Sequence, residues 1–323
     1  MASIETAAPR GATFSDYYDR IVHNIERVIQ GKRDVIELVL LCLVSEGHLL
    51  LEDVPGVGKT NLAKSLATSI ECSFGRVQFT PDLLPSDVVG LTVWNRGENS
   101  FDFRPGPVFN NIVLADEINR ASPKTQAALL EAMAEDQVTV DGKTYPLDRP
   151  FMVIATQNPI EHEGTYPLPE SQLDRFLMRV SVGYPSPHAE LEILDAHGDR
   201  DPFRDIGPVV ASADVERLAQ ATRQVHVAPS LKAYLVDVAQ ATRRSSHLSL
   251  GVSPRATLAL QRVAKARAAA EGRNYVLPDD VKALAVPVLA HRLIVTPEAQ
   301  LQGISPADAL AEVLRAVPVP AAH

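Results

Sequence analysis

Several large classes of protein are excluded by what this chain of 323 residues lacks. Its two cysteines, Cys42 and Cys72, are too few for a disulfide framework, so buried free thiols are expected. It has no Cys-x-x-Cys and no His-Glu-x-x-His. His162-Glu163 comes nearest, but Tyr166 stands where a second zinc-binding histidine belongs, which removes a zinc protease. No apolar run approaches the roughly 20 residues that span a bilayer; the longest, Leu38 to Ser45, follows Glu37. Residues 1–13 are small and polar, without a basic stretch leading into an apolar one. The expectation is a cytoplasmic protein with no transmembrane segment. An excess of positive charge is missing too. Against 40 Asp and Glu there are 31 Lys and Arg, a balance of −9 that opposes a general electrostatic grip on nucleic acid or anionic membrane. Internal repeats and low-complexity stretches are absent.

What is present suits a phosphate. After the apolar run Leu49-Leu50-Leu51, residues Asp53 to Thr60 read D-V-P-G-V-G-K-T, and Leu62, Leu66 and Ile70 then recur at helical spacing. A strand, a glycine turn and a helix start in that order converge backbone N–H groups on an anion. Gly56 and Gly58 leave room for close approach, because a Cβ there is expected to clash. Lys59 brings positive charge to the β- and γ-phosphates, and the Thr60 hydroxyl is a Mg²⁺ ligand. The expected nucleotide cradle is Pro55, Gly56, Val57, Gly58, Lys59, Thr60 and Asn61. One departure stands out: the strict pattern has glycine where this chain has Asp53.

Three further segments belong with the cradle. The strand-like Ile112-Val113-Leu114-Ala115 runs into Asp116-Glu117. The first acid is assigned to Mg²⁺ and the second to activating the attacking water. Phe151 to Thr156 is a third strand whose tip, Gln157-Asn158, places the Asn158 amide to orient that water. Leu168 to Phe176 contains Arg175, either one half of a surface ion pair with Asp174 or an arginine finger reaching a neighbouring subunit's nucleotide.

On these stretches, together with Val252-Ser253-Pro254-Arg255, the chain resembles the MoxR family of AAA+ ATPases, from about Val28 to beyond Pro254. The resemblance implies an α/β fold: a P-loop AAA+ core with a parallel sheet flanked by helices and β-hairpin inserts, then a small C-terminal helical lid. The shift at Tyr184-Pro185-Ser186-Pro187 divides the chain into a core of residues 1–184 and a lid of 185–323. The resemblance identifies the ribbon Leu91 to Phe103 with the helix-2 insert and the hairpin Gln137 to Leu147, turning at Asp141-Gly142, with the pre-sensor-1 hairpin. Both are expected to touch substrates or partners. Val28, Ile29 and Gly31 are candidates for the adenine pocket, with core packing the equal alternative. Arg255 follows an N-cap Ser253 and a first-turn Pro254, so it projects from a positively polarised helix start and suits a γ-phosphate sensor that couples ATP to lid closure.

The function implied is ATP hydrolysis, with ATP and Mg²⁺, by a homo-oligomeric ring expected to be a hexamer. Arg175 would complete the neighbour's site, with Arg104 and Arg120 as secondary boundary candidates. The ring would act as a chaperone-like remodeller on a separate partner carrying a von Willebrand factor A domain. Alternatives are an ATP-dependent assembly switch without productive turnover, a magnesium-chelatase-like motor subunit, and a DNA remodeller, which the acidic balance weakens.

Overall fold

The computed structural model describes residues 13–54, 56–158, 165–188, 190–191 and 202–320. Thr13 opens the first helix with a reciprocal cap. Its side chain accepts from the Asp16 N–H, and the Asp16 carboxylate accepts from the Thr13 N–H at 2.7 Å. Helices α1 (Phe14–Glu26) and α2 (Arg33–Val44) lead to β1 (Leu49–Glu52) and α3 (Lys59–Ser69). Next come β2 (Phe74–Gln78), the short α4 (Pro85–Val89) and the hairpin β3 (Gly90–Asn95) and β4 (Ser100–Pro105). β5 (Ile112–Asp116), α5 (Pro123–Glu135), the hairpin β6 (Gln137–Val140) and β7 (Lys143–Pro146), β8 (Met152–Gln157), α6 (Glu170–Leu173) and β9 (Met178–Val180) complete the core.

Five strands form one parallel sheet in the order β2-β5-β8-β1-β9. Alternation along each strand sorts its side chains into two layers. Leu49, Leu51, Ile112, Leu114, Met152 and Ile154 face the larger core with α1, α2 and α3. Leu50, Val113, Ala115, Val153 and Ala155 face a second core closed by α5 and the hairpins. At about 1.5–3 kcal/mol per fully buried aliphatic side chain, a one-residue register slip would be prohibitive. The register therefore fixes which residues stand at the strand tips. The turn of the second hairpin has Asp141 at φ 50° and Gly142 at φ 77°, the type I′ geometry that the sequence predicts. Phe103 of β4 stacks on Tyr145 of β7 at 4.1 Å, so the two inserts touch.

Further helices are α7 (Ser212–Arg223), α8 (Pro229–Arg244), α9 (Pro254–Ala270), α10 (Pro278–Leu289), α11 (Pro297–Leu301) and α12 (Pro306–Ala316). Between them Leu248–Leu250 (β10) and Ile294–Val295 (β11) pair antiparallel. Their apolar residues join the larger core, whose described members range from Tyr18 to Val317.

Two expectations read from the sequence need correction, a first helix running from Phe14 to Gly31 and a last helix at 278–291. The first helix stops at Glu26, not Gly31, where the Val28 N–H bonds the Ile25 carbonyl in the tighter i−3 pattern. The ordered residues 294–316, with two helices and a strand, lie beyond the last predicted helix. The basic stripe of Arg262, Lys265 and Arg267, which the sequence presents as a solvated helix face, makes exposed polar contacts. Lys265 donates to the Arg223 carbonyl at 3.0 Å, and Arg267 pairs with Glu271 at 3.1 Å.

Candidate active site

The carboxyl ends of β1, β5 and β8 lie side by side, the edge at which open parallel sheets bind ligands. β1 hands the chain to the glycine turn and then to α3, whose first residue is Lys59. Gly56 and Gly58 have φ of 86° and 87°, a left-handed backbone that strains any side chain with a Cβ. That conformation is what the structure shows to require glycine. An added Cβ would meet no atom of the chain within 4 Å at either position, so the expected clash is not with the protein itself.

Gly56, Gly58, Lys59, Thr60 and Asn61 line one cleft of about 350 Å³ with Asp116, Glu117 and Asn158. The predicted phosphate loop, acid pair and amide are thereby brought together. Val57 packs half-buried against the larger core instead, and Pro55 lies outside the described residues. Val28 and Ile29 are buried in the larger core, Gly31 turns the chain at φ 68°, and none of the three lines this cleft.

Three residues that the sequence did not single out organise the acids. Thr156, fully buried at the end of β8, donates its hydroxyl to Asp116 Oδ1 at 2.6 Å and accepts from the Glu117 N–H at 2.8 Å. Arg76 on β2 lines the cleft, and its Nη2 lies 2.8 Å from Asp116 Oδ2. Gln78, at the tip of β2, donates to Glu117 Oε2 at 2.7 Å. Glu117 itself has a left-handed backbone, φ 56° and ψ 50°, which turns it out of the strand line. Arg120 also donates to Glu117 Oε2, at 2.9 Å, so this boundary candidate faces the acid of its own chain. β2 carries no motif of its own, and only the pairing of Gln78 with Asp116 in the sheet reveals its part.

Arg175 and Arg255 are elsewhere. Together with Asp174, Arg262 and Arg292 they line a second cleft of about 330 Å³, which shares no lining residue with the first. Gly47 and His48 in its wall precede β1, whereas the phosphate loop follows β1. A strand of this length rises about 13 Å, so the two clefts open at opposite ends of it. Arg255, the expected γ-phosphate sensor, does not line the cleft of its own Lys59. It is largely exposed, with Nε 3.8 Å from Asp174 Oδ2. Arg175 donates to the Leu130 carbonyl at 2.5 Å. Arg104 is exposed on β4 and lines neither cleft.

The segment carrying Arg175 is clamped by residues after α10. Arg292, almost wholly buried, donates to Asp174 Oδ1 at 2.7 Å and to the Phe176 carbonyl at 2.8 Å. His291 Nε2 meets the same carbonyl at 3.1 Å. Burial holds His291 down to about 3 and His48 down to about 4, so both rings are neutral. Burial pushes the Cys42 and Cys72 thiols up to about 12, which leaves neither as a nucleophile at neutral pH.

Among the described residues no group of three or more His, Cys, Asp or Glu forms an all-protein metal cage. Thr60 and Asp116 share the first cleft, and one hydroxyl with one carboxylate fits Mg²⁺, which takes few protein ligands and completes its shell with phosphates and water. No helix among the described residues is long and apolar enough to cross a membrane.

The fold and this cleft define a P-loop ATPase core with an appended lid, and the comparisons agree. The description of the ATPase family associated with various cellular activities (AAA) matches residues 48–178, and that of the AAA lid domain matches residues 240–313. Chaperone MoxR1 of Mycobacterium tuberculosis is 43% identical over 94% of this chain and 82% of its own length. The uncharacterized protein YeaC of Bacillus subtilis is 51% identical over 93% and 94%. A crystal structure of a candidate ATPase from Cytophaga hutchinsonii superposes with a TM-score of 0.89 at 39% identity, covering 95% of this chain and 96% of that one. The chain belongs to the MoxR family of AAA+ ATPases.

Proposed function

We propose that the chain hydrolyses ATP at composite sites between neighbouring copies in a ring, expected to be a hexamer, and uses the cycle to remodel a partner protein. The observation that carries hydrolysis is the single cleft shared by Lys59, Thr60, Asp116, Glu117 and Asn158. Lys59 and the loop N–H groups take the phosphates. Thr60 and Asp116 hold Mg²⁺, which when bound neutralises charge on the β- and γ-oxygens. Glu117 accepts the proton of the attacking water, and the Asn158 amide orients that water. Val28, Ile29 and Gly31 are kept as the adenine-side candidates.

Arg175 and Arg255 are assigned to the nucleotide of the adjacent copy. Their common cleft at the far end of β1 supports this, because neither lines the cleft of its own Lys59. An arginine supplied in trans is typically worth about 10³–10⁵ in rate. The remodelling role rests on family membership and on the name of the mycobacterial chaperone relative. A separate protein with a von Willebrand factor A domain is the proposed partner. A second reading, a switch with little turnover, is favoured by one observation: the Glu117 carboxylate is occupied by Gln78 and Arg120.

The test is ATPase rate per chain against dilution, with mixing of Lys59→Ala and Arg175→Ala proteins. Specific activity should fall as the assembly dissociates, and the mixture should recover activity that neither variant has alone. Dilution-independent turnover with no recovery would remove the shared site. Tight ATP binding without turnover at any concentration would favour the switch.

A further inference from the structure

Asp53 occupies the place of the first phosphate-loop glycine, and nothing in the proposed hydrolysis uses its carboxylate. The residue is buried just past β1. Its Oδ2 accepts from the Ser181 hydroxyl at 3.0 Å, from the Gly183 N–H at 3.0 Å and from the Val182 N–H. Its backbone is engaged as well. The N–H donates to the Gln157 carbonyl at 3.2 Å, and the carbonyl accepts from Lys59 Nζ at 2.8 Å. One residue therefore touches the tip of β8, the phosphate-binding lysine and the chain leaving β9.

That outgoing chain is the connector to the helical region. Ser181, Val182 and Gly183 follow β9 directly, and Gly183 turns it at φ 65°. One residue later the Tyr184 carbonyl accepts from Lys32 Nζ at 2.7 Å, in the turn between α1 and α2. The connector is gripped from two sides over successive residues. A glycine at position 53 would keep the backbone contacts and lose every bond to 181–183.

We propose that Asp53 is a positioning residue that ties the phosphate loop to the core–lid connector, so that filling the Lys59 cleft is transmitted to the lid. The anion and the Asp53 carbonyl both draw on the Lys59 ammonium. A shift of Lys59 toward an anion changes the hold on the Asp53 peptide, and the carboxylate on that peptide carries the change to Val182 and Gly183. Three donors converging on one oxygen allow little slack in that link. The proposal goes beyond the ATPase reading and rests on it only for the occupant of the cleft.

The experiment compares full-length wild-type, Asp53→Gly, Asp53→Asn and Ser181→Ala proteins. The probe is adenosine 5′-(β,γ-imido)triphosphate with Mg²⁺. Affinity is measured by calorimetry, and hydrogen exchange is followed in the connector and in α9. In the wild type the probe should change exchange in both segments. Asp53→Gly, which restores the common glycine, should bind the probe within about threefold of wild type yet lose most of the change in α9. Asp53→Asn keeps an acceptor oxygen and should retain at least half of it. Ser181→Ala removes one exposed donor without touching the loop and should give an intermediate response, which keeps the test available if the glycine variant folds poorly. A full response in Asp53→Gly, or in Ser181→Ala where the glycine variant does not fold, overturns the proposal while leaving the ATPase reading intact. Absence of probe binding to the wild type overturns both.

Discussion

Thr156 makes one hydroxyl serve two acids, fixing the Asp116 carboxylate and the Glu117 backbone together. Thr156→Val keeps the shape but removes the donor to Asp116 Oδ1 and the acceptor for the Glu117 N–H, while Arg76 still holds Asp116 Oδ2; a lost buried partner costs about 1–3 kcal/mol. Because neither partner is in the phosphate loop, the variant should bind ATP within a few-fold of wild type and turn it over at least about tenfold more slowly. Single-turnover rates set beside binding affinities check this, and a parallel loss of both would place Thr156 in general stability instead. At this scale the sequence was informative where a residue type is tied to its neighbours along the chain. Gly58-Lys59-Thr60 and Asp116-Glu117 are read locally because a turn or a strand end makes them work. Arg76, Gln78 and Thr156 could not be read that way, since their roles come from sheet neighbours some forty residues away.

Among the elements, the stretch after α10 does most to set the second cleft. Arg292 binds Asp174 and the Phe176 carbonyl, so the lid dictates where Arg175 is held. Truncating the buried partner of such a pair costs about 3–5 kcal/mol. Arg292→Ala is therefore expected to lower the denaturation midpoint and, in the surviving fold, to reduce turnover while sparing ATP binding. Arg292→Lys should rescue little, because an ammonium cannot reproduce the guanidinium fork. Rescue by lysine would show that charge alone matters there. Helix starts were readable from their caps: Ser253-Pro254 opens α9 at the expected residue, with Ser253 accepting from the Ala256 N–H at 3.1 Å. The position of Arg255 was not, because capping sets where a helix begins and says nothing of what the helix packs against. On the core side the inserts leave Trp94 and Phe101 in edge contact at 4.8 Å, Phe101 largely exposed and Trp94 less than half so, which suits the partner contact expected of them.

For the whole molecule, the buried histidines set an acid limit. His48 donates from Nε2 to the Met133 carbonyl at 2.9 Å and accepts from the Val153 N–H at 3.0 Å, while His291 holds Phe176. Both are neutral in the fold, with values pressed down to about 4 and about 3, against 6.5 when free. Between those limits the unfolded chain binds protons that the fold refuses, so the histidine contribution is constant above about pH 7 and stability declines as pH falls through 6 toward 4. Urea midpoints at about pH 7.5, 6 and 5 test the sign, and His48→Gln should flatten the slope. An unchanged midpoint over that range would contradict neutral burial. A wider consequence follows from the two clefts opening at opposite ends of β1. On the proposed assignment of Arg175 and Arg255 to the adjacent copy, copies joined head to tail in an open row leave an orphan at each end, one phosphate loop with no arginines and one arginine pair with no nucleotide to serve. Closure into a circle abolishes both orphans at once, so output per chain should climb with row length and level off only when the circle shuts.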